Sequence, residues 1–251
     1  MKKLLIGYTG FVGSNLKKQI EYSYFANSQN IHEFAGMEFD EITIAAGDAR
    51  KWIANQDKEK DFGHIQKLFT DIKMISAKRV IFFSTVDVFN KKEGDEDSLI
   101  GNVAIEPYGK NRYKLENMMK EFFEDIYIIR IPGLFGKGLK KNIIYDVLNE
   151  KDISGFNLES KFQWFYLDDL KYVIDFVITH KIREFNVSSE PLSVKNLLEL
   201  LDYSEGLEIC RGVTQVDYDF RTKFAPFLLG KTYFYEKKEI EEKLLHYVKG
   251  I

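Results

Sequence analysis

Three glycines near the start of the chain have the spacing of a phosphate-binding turn. They follow an apolar run at residues 4–6 and open a helical pattern. The first glycine permits a tight turn, the second lets the backbone approach a pyrophosphate, and the third lets helix and strand pack closely. Free N–H groups at the start of the helix then favour an anion. The sequence therefore predicts a dinucleotide site, to which we assign Gly7, Thr9, Gly10, Phe11, Val12 and Gly13.

The elements around this turn alternate between short apolar runs and helical patterns. The runs are typical of buried parallel strands and lie at residues 4–6, 24–26, 42–45, 80–83 and 126–129. Helical patterns lie at residues 11–20, 61–76 and 111–123. The alternation predicts the α/β class, with a Rossmann-type doubly wound parallel sheet. Residues 29–40 are too few for another helix–strand–helix passage, so we expect one strand of the nucleotide half to be abbreviated.

After Pro132 the alternation loosens, and helical patterns mix with short extended pieces. We expect an NAD(P)-binding domain over residues 1–136, to which residues 160–190 return. Residues 137–251 then form a small C-terminal α/β substrate-binding lobe. Ligands of open α/β sheets bind at the carboxyl ends of the strands, and we expect the lobe to cover that edge.

The end of the second predicted strand carries Asn27 and Ser28, where an NAD site usually has an acidic residue that binds the adenine ribose diol. No carboxylate there repels a 2′-phosphate, and no arginine beside it binds one. The sequence therefore favours NADP slightly and leaves both NAD and NADP open. The remaining residues that we assign to the cofactor are Asn27, Ser28, Ala45, Ala46, Gly47 and Ile131.

The glycine spacing, with Phe11 and Val12 inside it, resembles the extended short-chain dehydrogenase/reductase family, in particular its NAD-dependent epimerases and dehydratases of sugar nucleotides. Further stretches resemble the family in the same order. They are residues 84–89 (STVDVF), 107–116 (PYGKNRYKLE), 130–136 (RIPGLFG), 165–170 (FYLDDL) and 185–188 (FNVS). The resemblance covers nearly the whole chain and implies an enzyme that acts on a nucleotide-linked sugar.

The resemblance also implies the catalytic set: a Ser or Thr at a strand end, and a Tyr followed four residues later by Lys. It gives the hydroxyl role to Thr85 and the acid/base role to Tyr108. A phenol with a pKa of about 10 needs a nearby cation to react near neutral pH. Arg112 stands where the family has lysine, whereas Lys110 and Lys114 lie near the opposite helix face. The Arg112 guanidinium can donate two hydrogen bonds to a ribose diol, and we expect both Arg112 and Tyr108 to contact the cofactor. A guanidinium is nevertheless not equivalent to an ammonium.

Relatives in the family bind the nucleotide diphosphate at the place of residues 138–142, where two lysines and a helix start suit phosphate. An ordinary basic turn is the alternative interpretation. The residues that we assign to the substrate are Asp87, Lys140, Lys141, Asn142 and Arg221. The charged run at residues 91–97 is expected to be a solvated loop.

Composition excludes several classes of function. A net charge of −3 and a pI of about 5.9 provide no basic surface for nucleic acid or an anionic membrane. No apolar run approaches the roughly 20 residues that span a bilayer. Cys210 is the only cysteine, which favours a reducing, cytoplasmic location, and the four histidines lack the spacing of metal ligands. We therefore expect no metal.

The reaction itself stays open in the sequence. Val86 and Asp87 stand where similar dehydratases carry Asp-Glu, which disfavours dehydration and leaves 4-keto reduction or 4-epimerisation. The short chain and the Val88-Phe89 ending resemble dTDP-4-dehydrorhamnose reductases, which slightly favours reduction. The alternative is an NAD(P)-binding sensor or scaffold without turnover, for which Arg112 is the best support. The resemblance also implies a homodimer that pairs through the helices carrying the Tyr motif.

Overall fold

The computed structural model describes residues 1–47, 50–101, 103–212 and 214–249. The strands are β1 (Lys3–Ile6), β2 (Tyr24–Ala26), β3 (Glu38–Ile44), β4 (Ser76–Thr85), β5 (Glu93–Gly94), β6 (Ile126–Ile131), β7 (Gly133–Phe135), β8 (Lys161–Phe162), β9 (Trp164–Tyr166), β10 (Glu184–Asn186), β11 (Leu192–Ser193) and β12 (Asp219–Phe220). The helices are α1 (Phe11–Gln19), α2 (Lys51–Gln56), α3 (Lys58–Ile72), α4 (Pro107–Phe122), α5 (Ile143–Leu148), α6 (Leu170–Thr179), α7 (Val194–Leu200), α8 (Gly206–Ile209), α9 (Ala225–Leu229) and α10 (Lys237–Lys249).

Six strands form one parallel sheet in the order β10-β6-β4-β3-β1-β2. Helix α1 packs against α6, whereas α2 and α3 both pack against α4. The predicted Rossmann-type parallel sheet is thus confirmed. Within the described residues no strand lies between β2 and β3, and a short 3₁₀ turn at Ile31–Phe34 connects them. The shortening falls on the connection, which is this turn, and β2 before it has three residues.

The central strands are apolar on both faces because helices cover both. On one face, Ile6 and Phe82 pack in a core with Leu115 of α4. Leu5 and Ile81, which point to the other face, are equally inaccessible to solvent. Continuous apolar runs are therefore what this position in a parallel sheet requires.

One predicted helix differs from the structure at both ends. The pattern over residues 61–76 predicts a helix up to Ser76, but α3 ends at Ile72 and Ser76 already begins β4. Ser76 pairs in register with Glu38 of β3, so strand pairing overrides the local helical pattern. At its other end α3 begins three residues earlier, where the Asp57 carboxylate accepts a hydrogen bond from the Lys60 N–H at 3.0 Å.

The chain divides into two compact units. The first consists of Met1–Lys91, Glu96–Ile131 and Asp168–Asn186, and it holds the six-stranded sheet. The second consists of Lys92–Asp95, Pro132–Leu167 and Val187–Ile251, and it holds three two-stranded sheets.

The charged run at residues 91–97 is only partly a loop. Its Glu93 and Gly94 form β5, which pairs in parallel with β12 of the same unit. Further along, the Glu96 carboxylate accepts a hydrogen bond from the backbone N–H of Asn186 at 2.7 Å. The expectation of a loop is therefore wrong for Glu93 and Gly94, although the Glu93 side chain is exposed to solvent. Pairing with a strand far along the chain leaves no pattern in a two-residue segment.

A buried ion network joins β6 to its neighbours in the first unit. Arg130 of β6 is inaccessible to solvent, and its Nη2 lies 2.7 Å from Oε2 of Glu116 on α4. Arg130 also bonds to Glu184 of β10, which Lys120 of α4 contacts at 3.0 Å. Burial opposes the charge on Arg130, but the two carboxylates outweigh it and hold its pKa above the ordinary value. The network fixes α4, and with it the Tyr108 segment, against the sheet.

Replacing Arg130 with Met is expected to lower the free energy of unfolding by about 3–5 kcal/mol, because Glu116 is left buried without its counter-ion. The matched control is Arg183→Met, which removes a half-exposed arginine paired with Asp125 and should cost about 1 kcal/mol or less. Urea unfolding measures both variants. Equal losses in the two variants would contradict the role given to the buried network.

Candidate active site

The turn between β1 and α1 can be built only with glycine at two of its three positions. Gly7 has a φ of +90°, and a Cβ there would lie 2.3 Å from the carbonyl oxygen of Ala45. A Cβ on Gly13 would lie 2.1 Å from the carbonyl oxygen of Gly7. Gly10 caps α1 without a side-chain hydrogen bond, so the N–H groups of the first turn face the space outside the helix end. This cradle fits a pyrophosphate.

The turn after β2 uses Asn27 to fold itself. The Asn27 side-chain oxygen accepts a hydrogen bond from the Gln29 N–H at 2.8 Å, and the Asn27 N–H donates to Asn30 Oδ1 at 2.8 Å. Ser28 beside it is exposed. The segment predicted to meet the adenine ribose is therefore an ordered turn with amide groups and no carboxylate. Contact of Asn27 and Ser28 with the cofactor stays a prediction.

Parallel register brings several predicted residues to one edge of the sheet. Ile6 pairs with Ile44, so Gly7 and Ala45 follow neighbouring strands at the same level. Thr85 pairs with Ile131 at the ends of β4 and β6. The glycine turn, Ala45, Thr85 and Ile131 thus share the carboxyl edge, where ligands of open α/β sheets bind.

Thr85 ends β4 and begins a short 3₁₀ turn at Val86–Val88. Its Oγ1 accepts a hydrogen bond from the Asp87 N–H at 3.1 Å. Because a hydroxyl also carries one donor hydrogen, Thr85 can still donate to an oxygen on a ligand.

The start of α4 lies directly against this turn. A Cβ on Gly109 would lie 1.9 Å from the Asp87 carbonyl oxygen and 2.6 Å from Cβ of Ala104. Only glycine allows so close an approach, which explains the Tyr-Gly pair. Tyr108 just before it is buried, and its N–H donates to Asn55 Oδ1 at 3.0 Å. The structure thus brings Thr85, Asp87 and Tyr108 together.

Arg112 lies one helical turn beyond Tyr108, on the same face of α4. Its Cζ is 4.4 Å from the centroid of the Tyr108 ring. The guanidinium forks onto the Asp61 carboxylate of α3, with Nη1–Oδ2 and Nη2–Oδ1 distances of 2.9 and 3.0 Å. Both side chains are buried. The two nitrogens expected at a ribose diol are engaged by Asp61 because a buried cation needs a counter-ion. The cofactor contact of Arg112 stays a prediction.

A second cation, Lys51 of α2, reaches the same region. Its Nζ lies 2.8 Å from Oδ1 of Asp87 and 3.7 Å from Oε2 of Glu106, the residue that caps α4. Asn55, one turn further along α2, donates to the same Glu106 oxygen at 3.3 Å. Helix α2 thus contacts both the turn after β4 and the start of α4.

The electrostatics of Tyr108 follow from these neighbours. Burial raises the pKa of the Tyr108 phenol, the Arg112 guanidinium opposes that rise, Asp87 adds to it, and Lys51 opposes it. The net result is a pKa above the ordinary value of about 10.

The other predicted substrate residues lie in the second unit. Asn142 caps α5, where its Oδ1 accepts from the Tyr145 N–H at 3.1 Å and its Nδ2 donates to the Leu134 carbonyl oxygen at 2.9 Å. Lys140 and Lys141 before it are exposed. Arg221 forks onto Asp219 with distances of 3.1 and 2.8 Å. Asp87 belongs to the first unit instead. Substrate binding by these five residues stays a prediction.

Sequence reasoning missed Lys51, Asn55 and Asp61. Asp61 and Lys51 are ordinary charged residues in helical segments, and nothing in their local pattern distinguishes them from solvated ones. Arg112, which stands where the family has lysine, was the only residue that pointed to a carboxylate partner, because a buried arginine implies a nearby carboxylate. Which carboxylate it meets depends on the packing of α3 against α4.

The family model of the NAD dependent epimerase/dehydratase family matches residues 19–188. The chain belongs to this family. Membership agrees with the glycine cradle, the parallel sheet and the Thr85–Tyr108 cluster. A search of curated proteins found no match.

Solved structures of family members share the fold over the whole chain. A dTDP-4-dehydrorhamnose reductase from Bacillus anthracis in complex with NADP is 17% identical, with a TM-score of 0.72 and coverage of 100% of both chains. A UDP-glucuronic acid 4-epimerase from Bacillus cereus in complex with UDP-glucuronic acid and NAD is 17% identical, with a TM-score of 0.73 and coverage of 100% of this chain and 99% of that one. A UDP-N-acetylglucosamine 4-epimerase from Methanobrevibacter ruminantium is 16% identical, with a TM-score of 0.74 and coverage of 99% and 97%. At these identities the likeness shows the fold.

The described residues contain neither a candidate membrane span nor a candidate metal site. None of the described helices is both long and apolar enough to cross a bilayer. No group of three or more His, Cys, Asp or Glu in that part of the chain could hold a metal ion. Cys210 is a buried free thiol.

Replacing Gly13 with Ala is expected to weaken NADPH and NADH binding at least about 10-fold, because the new Cβ pushes the Gly7 backbone out of the cradle. The control is Gly63→Ala in the interior of α3, where a Cβ would meet nothing within 4 Å. That variant should keep cofactor affinity and be slightly more stable. Quenching of protein fluorescence measures the dissociation constants. Unchanged affinity in Gly13→Ala would place the dinucleotide elsewhere.

Proposed function

We propose that the chain reduces the 4-keto group of a nucleotide-linked sugar, with NADPH or NADH as the reductant. The observation that carries the proposal is the buried Tyr108 phenol at the start of α4, which packs directly against the turn that follows Thr85. Reduction of a ketone needs such a proton donor at the substrate oxygen. The family membership and the similarity to a dTDP-4-dehydrorhamnose reductase support the same reaction class.

The residues of the cradle, Gly7, Gly10 and Gly13, would hold the pyrophosphate of the cofactor against the start of α1. Asn27 and Ser28 would face its adenine ribose, and the lack of a carboxylate there slightly favours NADP. When bound, NAD(P)H supplies the hydride for the carbonyl carbon.

The chain's own groups act on the carbonyl oxygen. Thr85 donates a hydrogen bond that polarises it. Tyr108 transfers its phenolic proton to the same oxygen as the alcohol forms, so the phenolic O–H bond breaks and the alcohol O–H bond forms. Arg112, held by Asp61, packs on the Tyr108 ring and orients it. Lys140, Lys141 and Arg221 are proposed to bind the nucleotide diphosphate.

The second candidate is 4-epimerisation, which two of the similar solved structures perform by name. Epimerisation must first oxidise the sugar alcohol, a step in which Tyr108 has to accept a proton as a phenolate. A raised phenol pKa leaves little phenolate at neutral pH. The Val88-Phe89 ending, which resembles the reductases, slightly favours reduction.

A homodimer that pairs through the helix carrying Tyr108 also belongs to the proposal. Phe122 at the end of α4 is 47% exposed and contacts Phe69 of α3 edge-on, with ring centroids 6.0 Å apart. An exposed apolar side chain at the end of α4 is consistent with a dimer interface there.

The test is consumption of NADPH and NADH with a panel of 4-keto hexoses linked to dTDP and UDP. Wild-type protein is expected to oxidise the reduced cofactor with at least one of them. Tyr108→Phe should lose about 10²- to 10⁴-fold in kcat because the proton donor is gone. Tyr113→Phe, which removes a half-buried phenol on the same helix, is the matched control and should keep its rate.

Two outcomes would contradict the proposal. Equal rates in wild type and Tyr108→Phe would remove Tyr108 from the chemistry. Tight cofactor binding with no oxidation by any member of the panel would favour the sensor or scaffold without turnover.

A further inference from the structure

A lysine of α1 lies beside the turn that is proposed to face the adenine ribose of the cofactor. Lys17 Nζ is 4.9 Å from the centroid of the Phe25 ring in β2 and 5.7 Å from that of the Tyr8 ring in the glycine turn. The two rings meet edge-on, with centroids 5.7 Å apart. The side-chain nitrogen of Asn27 donates to the Tyr8 hydroxyl at 3.5 Å. These four residues thus form one cluster at the end of β2.

The positive charge of Lys17 is available to an anion. Lys17 is exposed, and no carboxylate in the described part of the chain pairs with it. Aromatic faces attract an ammonium but carry no net charge, so the two rings position Lys17 without neutralising it. Arg112 and Arg221, by contrast, each fork onto a carboxylate. Lys17 is therefore a cation that the fold positions and leaves uncompensated.

The other groups of the cluster also suit a phosphate. The Tyr8 hydroxyl accepts a hydrogen bond from Asn27 and keeps its own hydrogen for a further acceptor. Ser28 is exposed directly after Asn27 and carries a second hydroxyl. The segment 27–30 (NSQN) contains no carboxylate, the group that binds the ribose diol of NAD. An ammonium and two hydroxyl donors are groups that bind the oxygens of a phosphate.

Helix α1 connects this cluster with the glycine cradle. The helix begins at Phe11 beside the cradle, and Lys17 lies in its last turn. With a rise of 1.5 Å per residue, the two positions are about 9 Å apart along the helix axis. One ribose with phosphates on two of its oxygens can bridge such a span. The two ends of α1 can therefore serve two phosphate groups of the same nucleotide.

We propose that Lys17 binds the 2′-phosphate of NADP and so sets the preference of this chain for NADP over NAD. The inference rests on the cofactor site of the proposed function and involves no group that contacts the sugar. NADP differs from NAD by this phosphate alone, which carries about two negative charges at neutral pH. The hydroxyls of Tyr8 and Ser28 would donate to its oxygens beside the ammonium. The ribose diol of NAD is uncharged and gains little from Lys17.

The experiment measures the dissociation constants of NADPH and NADH for the full chain by quenching of protein fluorescence. Wild-type protein is expected to bind NADPH more tightly than NADH. Lys17→Met should weaken NADPH binding about 10-fold, the loss expected for one hydrogen bond to a charged group, and leave NADH binding within about 2-fold. Lys17→Arg, which keeps the charge, should keep the preference for NADPH.

The matched control is Lys18→Met, which removes the neighbouring exposed lysine of α1. Successive residues of a helix are turned by about 100°, so Lys18 faces away from the cluster and its loss should change neither constant. A second readout uses the adenosine end of the cofactor alone. Adenosine 2′,5′-bisphosphate should compete with NADPH better than adenosine 5′-phosphate does in wild type, and Lys17→Met should remove most of that difference.

Equal affinities of wild-type protein for NADPH and NADH would overturn the proposal, as would an unchanged ratio of the two in Lys17→Met. Equal losses for both cofactors in Lys17→Met would also overturn it, since Lys17 would then only support the turn. None of these measurements uses a sugar, so they separate this inference from the proposed function. Selective loss of NADPH binding without reduction of any keto sugar would support Lys17 and contradict reduction, whereas turnover without a preference for NADPH would contradict Lys17 alone.

Discussion

The buried ion pair between Asp61 and Arg112 is the constraint on which the arrangement of the site depends. Removing a guanidinium and a carboxylate from water is costly, and the fork geometry at 2.9 and 3.0 Å recovers that cost only while α3 and α4 stay in register. The pair therefore fixes α4 against α3 and holds Arg112 4.4 Å from the centre of the Tyr108 ring. It also places the phenol beside a cation that opposes the rise of its pKa.

The rest of the site follows from the parallel sheet. Its register aligns the end of β1 with that of β3 and the end of β4 with that of β6, and the glycine turn, Ala45, Thr85 and Ile131 all follow or end strands at the carboxyl edge. Gly109 then lets α4 approach the turn after Thr85 closely enough to bring Tyr108 to that edge. Arg130, buried between Glu116 and Glu184, holds the other side of α4 against β6 and β10. The residues proposed for dinucleotide binding and for proton transfer therefore lie along the same edge of the sheet.

Sequence reasoning could predict the parts that local physics determines. The Gly7 turn is visible because no other residue tolerates its φ and its contact with Ala45, and the buried strands are visible because a covered parallel sheet needs continuous apolar runs. The contacts of Arg112 could not be predicted, since a guanidinium suits a ribose diol and a carboxylate equally well. Asp61 and Lys51 carry no local pattern, and Glu93–Gly94 is too short a strand to show a period. These features arise only when α2, α3 and the second unit fold.

The central claim is that the Tyr108 phenol, buried beside the turn that follows Thr85, gives its proton to the substrate oxygen. The most direct test is the pH profile of kcat/KM for reduction of a 4-keto sugar nucleotide with NADPH, which reports the enzyme before the sugar binds. Because the Tyr108 pKa is raised and the acid form is the active one, the profile should stay level from about pH 7 to about pH 9 and fall only above the ordinary phenol value of about 10. Asp61→Asn, which leaves the charge of Arg112 uncompensated, should move that fall to lower pH. A wild-type profile that already falls between about pH 7 and about pH 9, or one that Asp61→Asn leaves in place, would contradict the account.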